Sequence, residues 1–90
     1  MQNEIDGKFL LNLYAKIEKY GQPQQTVHGA GFVLDGISVS QGFDGYEAYF
    51  SDGAVQLTLG FHNKWHADAT DEQQMERFLA RLQQIQKQYA

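Results

Sequence analysis

The chain has 90 residues, the size of one domain, and a chain this short buries only about 60–65% of the surface that its unfolded form exposes. It contains no cysteine, which excludes disulfide bonds, thiolate nucleophiles and cysteine-based zinc or iron–sulfur sites. Its 42% hydrophobic content is too high for a disordered chain. No linker-like stretch divides the sequence, so we expect residues 1–90 to form a single domain.

The formal net charge of −4 is concentrated in the middle of the chain. Between Gln24 and Asn63 there is no lysine or arginine. The same segment carries four acids, namely Asp35, Asp44, Glu47 and Asp52. A negative field of this kind repels phosphate backbones, which argues against nucleic-acid binding.

The first residues lack both the basic region and the apolar run of a signal peptide. No segment of the sequence approaches the roughly 20 apolar residues of a membrane span. Together with the lack of cysteine, these features predict a cytoplasmic protein that does not bind membranes.

The first predicted element is an amphipathic helix from about Glu4 to Tyr20. Its apolar residues recur with helical spacing at Ile5, Phe9, Leu10, Leu13, Ile17 and Tyr20. Asn3 is the predicted N-cap, and Gly21 followed by Pro23 predicts the end of the helix.

The middle of the chain contains the dipeptide Asp-Gly three times, at positions 35–36, 44–45 and 52–53. Asp-Gly is typical of the two-residue turn of a β-hairpin. Three such turns would pair Leu34 with Ile37, Phe43 with Tyr46 and Ser51 with Ala54. The sequence therefore predicts four antiparallel strands joined as a meander.

With these turns, alternate residues of the four strands separate into an apolar and a polar face. The apolar face collects Phe32, Leu34, Ile37, Val39, Phe43, Tyr46, Ala48, Phe50, Val55, Leu57, Leu59 and Phe61. The polar face collects Ser38, Ser40, Glu47, Tyr49, Ser51, Gln56, Thr58 and His62. The exceptions are Gln41 on the apolar face and Val33 on the polar face.

The last predicted element is a second amphipathic helix. It begins with a capping box over Thr70 to Gln73. Its apolar stripe consists of Met75, Phe78, Leu79, Leu82, Ile85 and Tyr89. Two such helices can cover the apolar face of the sheet. The predicted fold is thus a two-layer α+β sandwich of order α-β-β-β-β-α.

Residues 61–68, FHNKWHAD, contain the side chains that look most like metal ligands: His62, His66 and Asp68. Histidines four apart can share a zinc ion on a helix, but on a strand they lie about 13 Å apart. If this segment is extended, Trp65 lies on the core face and the three candidates lie on the outer face. If Asn63 and Lys64 form a turn, His62 pairs with Trp65 instead. Neither of these conformations brings the histidines together, so we expect no metal site unless the segment forms a helix.

Four residues are candidates for contact with a partner: Trp65, Lys64, His62 and Tyr49. Tyr49 could stack a base, but it has no nearby positive charge to complete such a platform. His28 could act as an acid or base, but the sequence identifies no partner for it. Since no catalytic set or cofactor motif is present, the sequence favours a protein that is not an enzyme and has no cofactor.

Three stretches of the sequence, EIDGKFLLNLYAKIEKYG, FDGY and LTLGFHNKWH, resemble a family of short uncharacterised proteins from gammaproteobacteria. The distinctive parts are Phe43–Tyr46 and Phe61–His66, and the resemblance spans nearly the whole chain. The family is known only as a domain of unknown function. The resemblance therefore implies a bacterial cytoplasmic protein and brings no activity, cofactor or catalytic residue.

The function that the sequence favours is a non-enzymatic module that binds a protein partner or itself through the surface or an edge of its sheet. In a four-stranded meander the first and last strands are edges that need protection or a partner. The first strand is the less guarded, since Gly29, Ala30 and Gly31 are small. The alternative is a protein that binds a small ligand or a divalent metal through the segment from His62 to Asp68.

Overall fold

The chain forms a helix, six strands and a second helix over residues 5–42, 47–60 and 64–89, which the computed structural model describes. The elements are α1 (Gly7–Tyr20), β1 (Gln22–Thr26), β2 (Gly29–Leu34), β3 (Ile37–Gln41), β4 (Ala48–Ser51), β5 (Gln56–Leu59), β6 (Trp65–Asp68) and α2 (Glu72–Gln88). The predicted α+β class, with a helix at each end of the chain and an antiparallel sheet between them, is confirmed.

The sheet is an antiparallel meander in the order β1 to β6. The prediction of four strands was wrong, because the structure adds β1 before them and β6 after them. β1 has the sequence QPQQT, which lacks apolar alternation, and it pairs with β2 over its full length. The strands expected to be edges are therefore β2 and β5, inside the sheet. The real edges are β1 and β6.

The turn between β2 and β3 has the predicted geometry. Leu34 pairs with Ile37, and φ is positive at both turn residues, 52° at Asp35 and 84° at Gly36. A type I′ turn requires such values. The second Asp-Gly pair, with the predicted pairing of Phe43 and Tyr46, lies outside the described residues.

The turn between β4 and β5 is longer than predicted. Ser51 pairs with Gln56 rather than with Ala54, because the Asp52 carboxylate accepts hydrogen bonds from the backbone N–H groups of Ala54 and Val55, both at 2.9 Å. These bonds stabilise a wider loop. The error is two residues, and strands alternate with a period of two, so every side chain stays on its predicted face.

The two predicted faces are confirmed wherever the structure describes them. One row across the sheet is apolar from β2 onward and consists of Phe32, Val39, Phe50, Leu57 and Ala67. The neighbouring row contains the exception Val33 followed by Ser38, Ser51, Gln56 and Asp68. Gln41 lies in an apolar row, as predicted. Phe43, Tyr46, Phe61 and His62 lie outside the described residues.

Both helices pack on the apolar face of the sheet and against each other. Their fully buried side chains are Leu10, Leu13 and Ile17 in α1 and Phe78, Leu82 and Ile85 in α2. Tyr14 of α1 meets Phe50 of β4 edge to face, with ring centroids 6.0 Å apart. The Lys16 ammonium donates a hydrogen bond of 2.8 Å to the backbone oxygen of Gln86, which fixes α1 against α2.

The helices begin later than the sequence predicted. Asp6, not Asn3, caps α1, and its carboxylate accepts a hydrogen bond from the N–H of Phe9 at 2.8 Å. Asp71, not Thr70, caps α2 in the same way, with the N–H of Gln74 at 2.8 Å. An aspartate adds its negative charge to the capping bond, which suits the positive end of the helix dipole. Neither described helix has the length and apolar character of a membrane span.

Gly31 allows β2 to cross β3 closely, and we expect the substitution Gly31→Ala to destabilise the fold. A β-carbon at this position would collide with the backbone oxygen of Val39. Overpacking of this kind costs about 1–3 kcal/mol. Urea denaturation measures the loss. Gly60→Ala is the matched control, since its β-carbon would meet the nearest atom at 3.9 Å. Equal stability of the two variants would contradict the prediction.

Stability should fall at alkaline pH partly through Tyr14. Burial raises the pKa of the Tyr14 phenol, and the Glu18 carboxylate raises it further. The unfolded chain therefore releases this proton at a lower pH than the folded chain. The contribution of Tyr14 is fully present below pH about 10 and is lost as the pH rises through the folded-state pKa.

In urea titrations across this pH range, Tyr14→Phe should lose less stability than the wild type. Tyr20→Phe removes a hydroxyl at the end of the same helix and serves as the control. Parallel pH profiles of the wild type and Tyr14→Phe would contradict the assignment.

Candidate functional site

The sheet face opposite the helices is open and consists mainly of uncharged polar side chains. Its two longest rows contain Gln22, Gln24, Ser38, Ser40, Tyr49, Ser51, Gln56 and Thr58. In these two rows, the acidic and histidine side chains lie in β6, at His66 and Asp68. The pattern arises because successive side chains of a strand point to opposite faces of the sheet, and the apolar residues of each strand point to the helices.

The hairpin between β1 and β2 folds over this open face. The Thr26 hydroxyl donates to the backbone oxygen of Gly29 at 2.7 Å and accepts from the N–H of His28 at 3.1 Å. Gly29 has a φ of +117°, a conformation that side chains other than hydrogen rarely allow. The tip of the hairpin, Val27 and His28, is thus held in a fixed turn.

His28 at the tip contacts the sheet through its ring. It stacks on Tyr49 of β4, with ring centroids 3.8 Å apart and an interplanar angle of 10°. Its Nε2 lies 3.1 Å from the side-chain nitrogen of Gln56 in β5. If the amide nitrogen donates in this contact, the imidazole is neutral and carries its proton on Nδ1. The Tyr49 hydroxyl donates to the Glu47 carboxylate at 2.7 Å.

The folded-over hairpin encloses a cleft of about 240 Å³ against the sheet, which we call the hairpin cleft. It is lined by Gln24, Gln25, Thr26, Val27, His28, Ser38, Ser40, Tyr49, Ser51 and Gln56. None of these side chains is a lysine, arginine, aspartate or glutamate. The cleft therefore presents amides and hydroxyls, which both donate and accept hydrogen bonds, beside a stacked aromatic pair.

The segment from Lys64 to Asp68 forms the far edge of the sheet. The chain turns back after β5, and Trp65 pairs with Leu59 rather than with His62. Residues 65–68 are extended, with Trp65 and Ala67 on the core face and His66 and Asp68 on the open face. His62 lies outside the described residues. Within the described parts of the chain, no three histidine, aspartate or glutamate side chains cluster as metal ligands would.

Trp65 is an anchor of the fold. Its indole N–H donates to the backbone oxygen of Ile5 at 3.2 Å, and its ring packs against the core. The bond joins β6 to the residue just before the cap of α1. Lys64 is exposed beside it. Of the three contact candidates that lie within the described residues, Tyr49 alone lines the hairpin cleft.

Sequence reasoning missed the role of His28. Its partners Tyr49 and Gln56 are distant in the chain, and only a hairpin between β1 and β2 brings them together. The available signal was the short polar run before Gly29, which could have been interpreted as one arm of a hairpin. That run lacks alternation of apolar and polar residues, so the sequence predicted neither β1 nor the contacts of His28.

The fold and the cleft define a small two-layer α+β protein with two helices on one sheet face and an open polar face opposite. The chain belongs to the family described as Protein of unknown function (DUF3081), which it matches over residues 5–90. This confirms the expected relation to a domain of unknown function. No curated protein and no solved structure matches the chain.

Substituting His28 with alanine should expose the face of the Tyr49 ring. In the stacked pair each ring shifts the proton resonances of the other upfield, so the Tyr49 ring protons should move downfield in His28→Ala. Two-dimensional NMR of the aromatic region measures this change. Val27→Ala alters the adjacent tip residue, which is 90% exposed, and should leave Tyr49 unchanged. Unchanged Tyr49 shifts in His28→Ala would show that the rings do not stack.

Proposed function

We propose that the protein is a non-enzymatic binding module whose hairpin cleft holds a small, neutral, hydroxyl-rich ligand of the kind of a single sugar ring. The observation that carries this proposal is the composition of the lining. Hydroxyl and amide groups from four strands converge under one hairpin, and none of the lining side chains that the structure describes is cationic or a carboxylate. The proposal puts the ligand site in the cleft instead of the segment from His62 to Asp68.

Charge and polarity in the cleft favour a neutral ligand over the other classes. An anion would lose its hydration without gaining a positive partner, and a cation would find no carboxylate among the lining residues. An apolar ligand would leave buried hydroxyls and amides without hydrogen bonds, which costs about 1–3 kcal/mol for each group. Sugar hydroxyls both donate and accept, so they match serine, threonine and glutamine side chains.

The size of the cleft supports a ligand of one ring. Its volume of about 240 Å³ is below the roughly 300–1,000 Å³ that is typical of sites for drug-sized molecules. A ligand of this size makes few contacts, so we expect binding in the millimolar range.

The non-enzymatic part of the proposal is supported by the two titratable side chains that line the cleft. His28 is stacked on Tyr49 and lies beside the Gln56 amide, and the Tyr49 hydroxyl donates a hydrogen bond to the Glu47 carboxylate. Both side chains are thus engaged by other residues of the protein, so the pair is suited to shaping the cleft.

The proposal is tested by NMR titration of the ¹⁵N-labelled protein with matched sugars. Glucose and N-acetylglucosamine are the neutral probes, and glucose 6-phosphate and glucosamine are their charged counterparts. At least one neutral sugar should shift the resonances of the cleft residues at millimolar concentration, more strongly than its charged counterpart. Gln24→Ala, inside the cleft, should weaken this binding.

The matched control is Gln22→Ala, because Gln22 lies on the same strand and face but does not line the cleft. Both glutamines are exposed, so neither substitution endangers the fold. If neither neutral sugar shifts the cleft residues, or if the charged sugars bind more tightly, the proposed ligand class is wrong.

A further inference from the structure

The backbone groups of β6 can be assigned to the interior or the edge of the sheet by following the hydrogen bonds across it. In an antiparallel ladder, hydrogen-bonded pairs alternate with non-bonded pairs. The bond from Gly60 N–H to Lys64 oxygen, 2.8 Å, closes the hairpin between β5 and β6. Lys64, His66 and Asp68 therefore direct their backbone groups at β5. Trp65 and Ala67 direct theirs away from the sheet.

The bonds at the other turns agree with this alternation. Gly42 N–H donates to Glu47 oxygen at 2.6 Å, and Asp52 N–H donates to Val55 oxygen at 3.3 Å. Counting in the same way towards β1, the residues that face outward there are Pro23 and Gln25. Proline has no N–H group, so half of the donors on that edge are missing. β6 carries no proline, and no described residue pairs with the outward backbone groups of Trp65 and Ala67.

The exposed side chains of β6 form a self-complementary series. Lys64, His66 and Asp68 project from the same face, with the positive charge at one end and the negative charge at the other. If two copies of the strand run antiparallel with Trp65 opposite Ala67, then Lys64 of each copy lies opposite Asp68 of the other. Opposite charges that face each other across strands stabilise the pairing.

We propose that two copies of the chain pair through β6, antiparallel and about a two-fold axis at His66. In this register every outward N–H and C=O group of Trp65 and Ala67 finds a partner. On the core side the large Trp65 side chain lies opposite the small Ala67, and on the open side two Lys64–Asp68 pairs flank the axis. The two six-stranded sheets become one twelve-stranded sheet.

Charge complementarity identifies the partner as a second copy. With a two-fold axis at His66, Lys64 of one copy lies opposite Asp68 of the other copy, and the same pair forms again on the other side of the axis. The strand therefore supplies both the cation and the anion of each ion pair. The strand is only four residues long, and an edge contact of this kind buries far less than the roughly 1,200–2,000 Å² of a stable interface. We therefore expect a weak dimer that forms at high micromolar concentration and weakens as salt is added.

In the dimer both open faces lie on the same side of the joined sheet. Each hairpin cleft lies near β1, at the outer end of its own half. Two clefts that point in one direction could engage a ligand that presents repeated groups, with a gain in avidity. The pairing itself does not depend on what the clefts bind.

Sedimentation velocity over micromolar to millimolar concentrations tests the pairing and its register. Lys64→Glu and Asp68→Lys each replace two attractions with two repulsions, and each should weaken dimerisation by roughly tenfold or more. Both side chains are exposed, so the monomer should stay folded, which circular dichroism checks. Lys87→Glu makes the same charge change at the far end of α2 and should leave dimerisation unchanged.

Exchanging the charges at positions 64 and 68 tests whether these two residues face each other across the interface, as this register requires. An equimolar mixture of Lys64→Glu and Asp68→Lys should form a heterodimer, and the double variant with both substitutions should regain its own dimer. A wild-type protein that stays monomeric at millimolar concentration would overturn the proposal. A dimer that ignores the single substitutions, or a mixture that fails to restore pairing, would also overturn it.

Discussion

Burial of one face of the sheet beneath two helices is the interaction on which the rest of this protein depends. Among the described residues thirteen hydrophobic side chains are buried, and they come from both helices, from β3 to β5 and from short segments beside these elements. A chain of this size has room for one such core, so each strand must direct its apolar residues to the same side. The opposite side is left to serines, threonines, glutamines and a tyrosine, and it presents these polar groups to solvent.

The hairpin cleft depends on two glycines, because the backbone there adopts a contact and a conformation that other residues do not allow. Gly31 lets β2 approach the backbone of β3 more closely than any side chain would allow, and Gly29 sets the turn at the tip. Both positions lie in the strand that carries His28 towards Tyr49. The site thus arises from backbone geometry at least as much as from the side chains that line it.

The sequence was sufficient to predict the class of the fold and the two faces of the sheet, because the faces depend on the alternation of apolar and polar residues along each strand. An error of two residues at the turn after Ser51 changed no side chain's face. β1 was missed because it is held by backbone pairing with β2, and its sequence QPQQT has no alternating apolar residues that would indicate a strand. The N-caps are Asp6 instead of the predicted Asn3, and Asp71 instead of the predicted Thr70. Several nearby residues of the sequence are suited to the N-cap position, and the sequence alone does not decide between them.

The candidate site was predictable only in part, and for a related reason. Tyr49 was placed on the polar face by alternation alone, whereas the partner of His28 depended on a strand that the pattern did not reveal. Trp65 was expected to be an anchor of the core or of an interface, and its bond to Ile5 makes it part of the fold. Long-range contacts between isolated polar residues leave little trace in a single sequence, since neither residue's type requires the other.

Pro23 makes the two edges of the sheet unequal, because the β1 edge has fewer backbone donors than the β6 edge. A sheet with two open edges can add copies at both ends and grow without limit, which is the route to fibres. Pro23 occupies one of the two outward positions of β1, so that edge has half of its donors and addition through it is disfavoured. In the proposed dimer, the β6 edge is already occupied by its partner. The pyrrolidine ring of one residue therefore hinders growth of the sheet beyond a pair of copies.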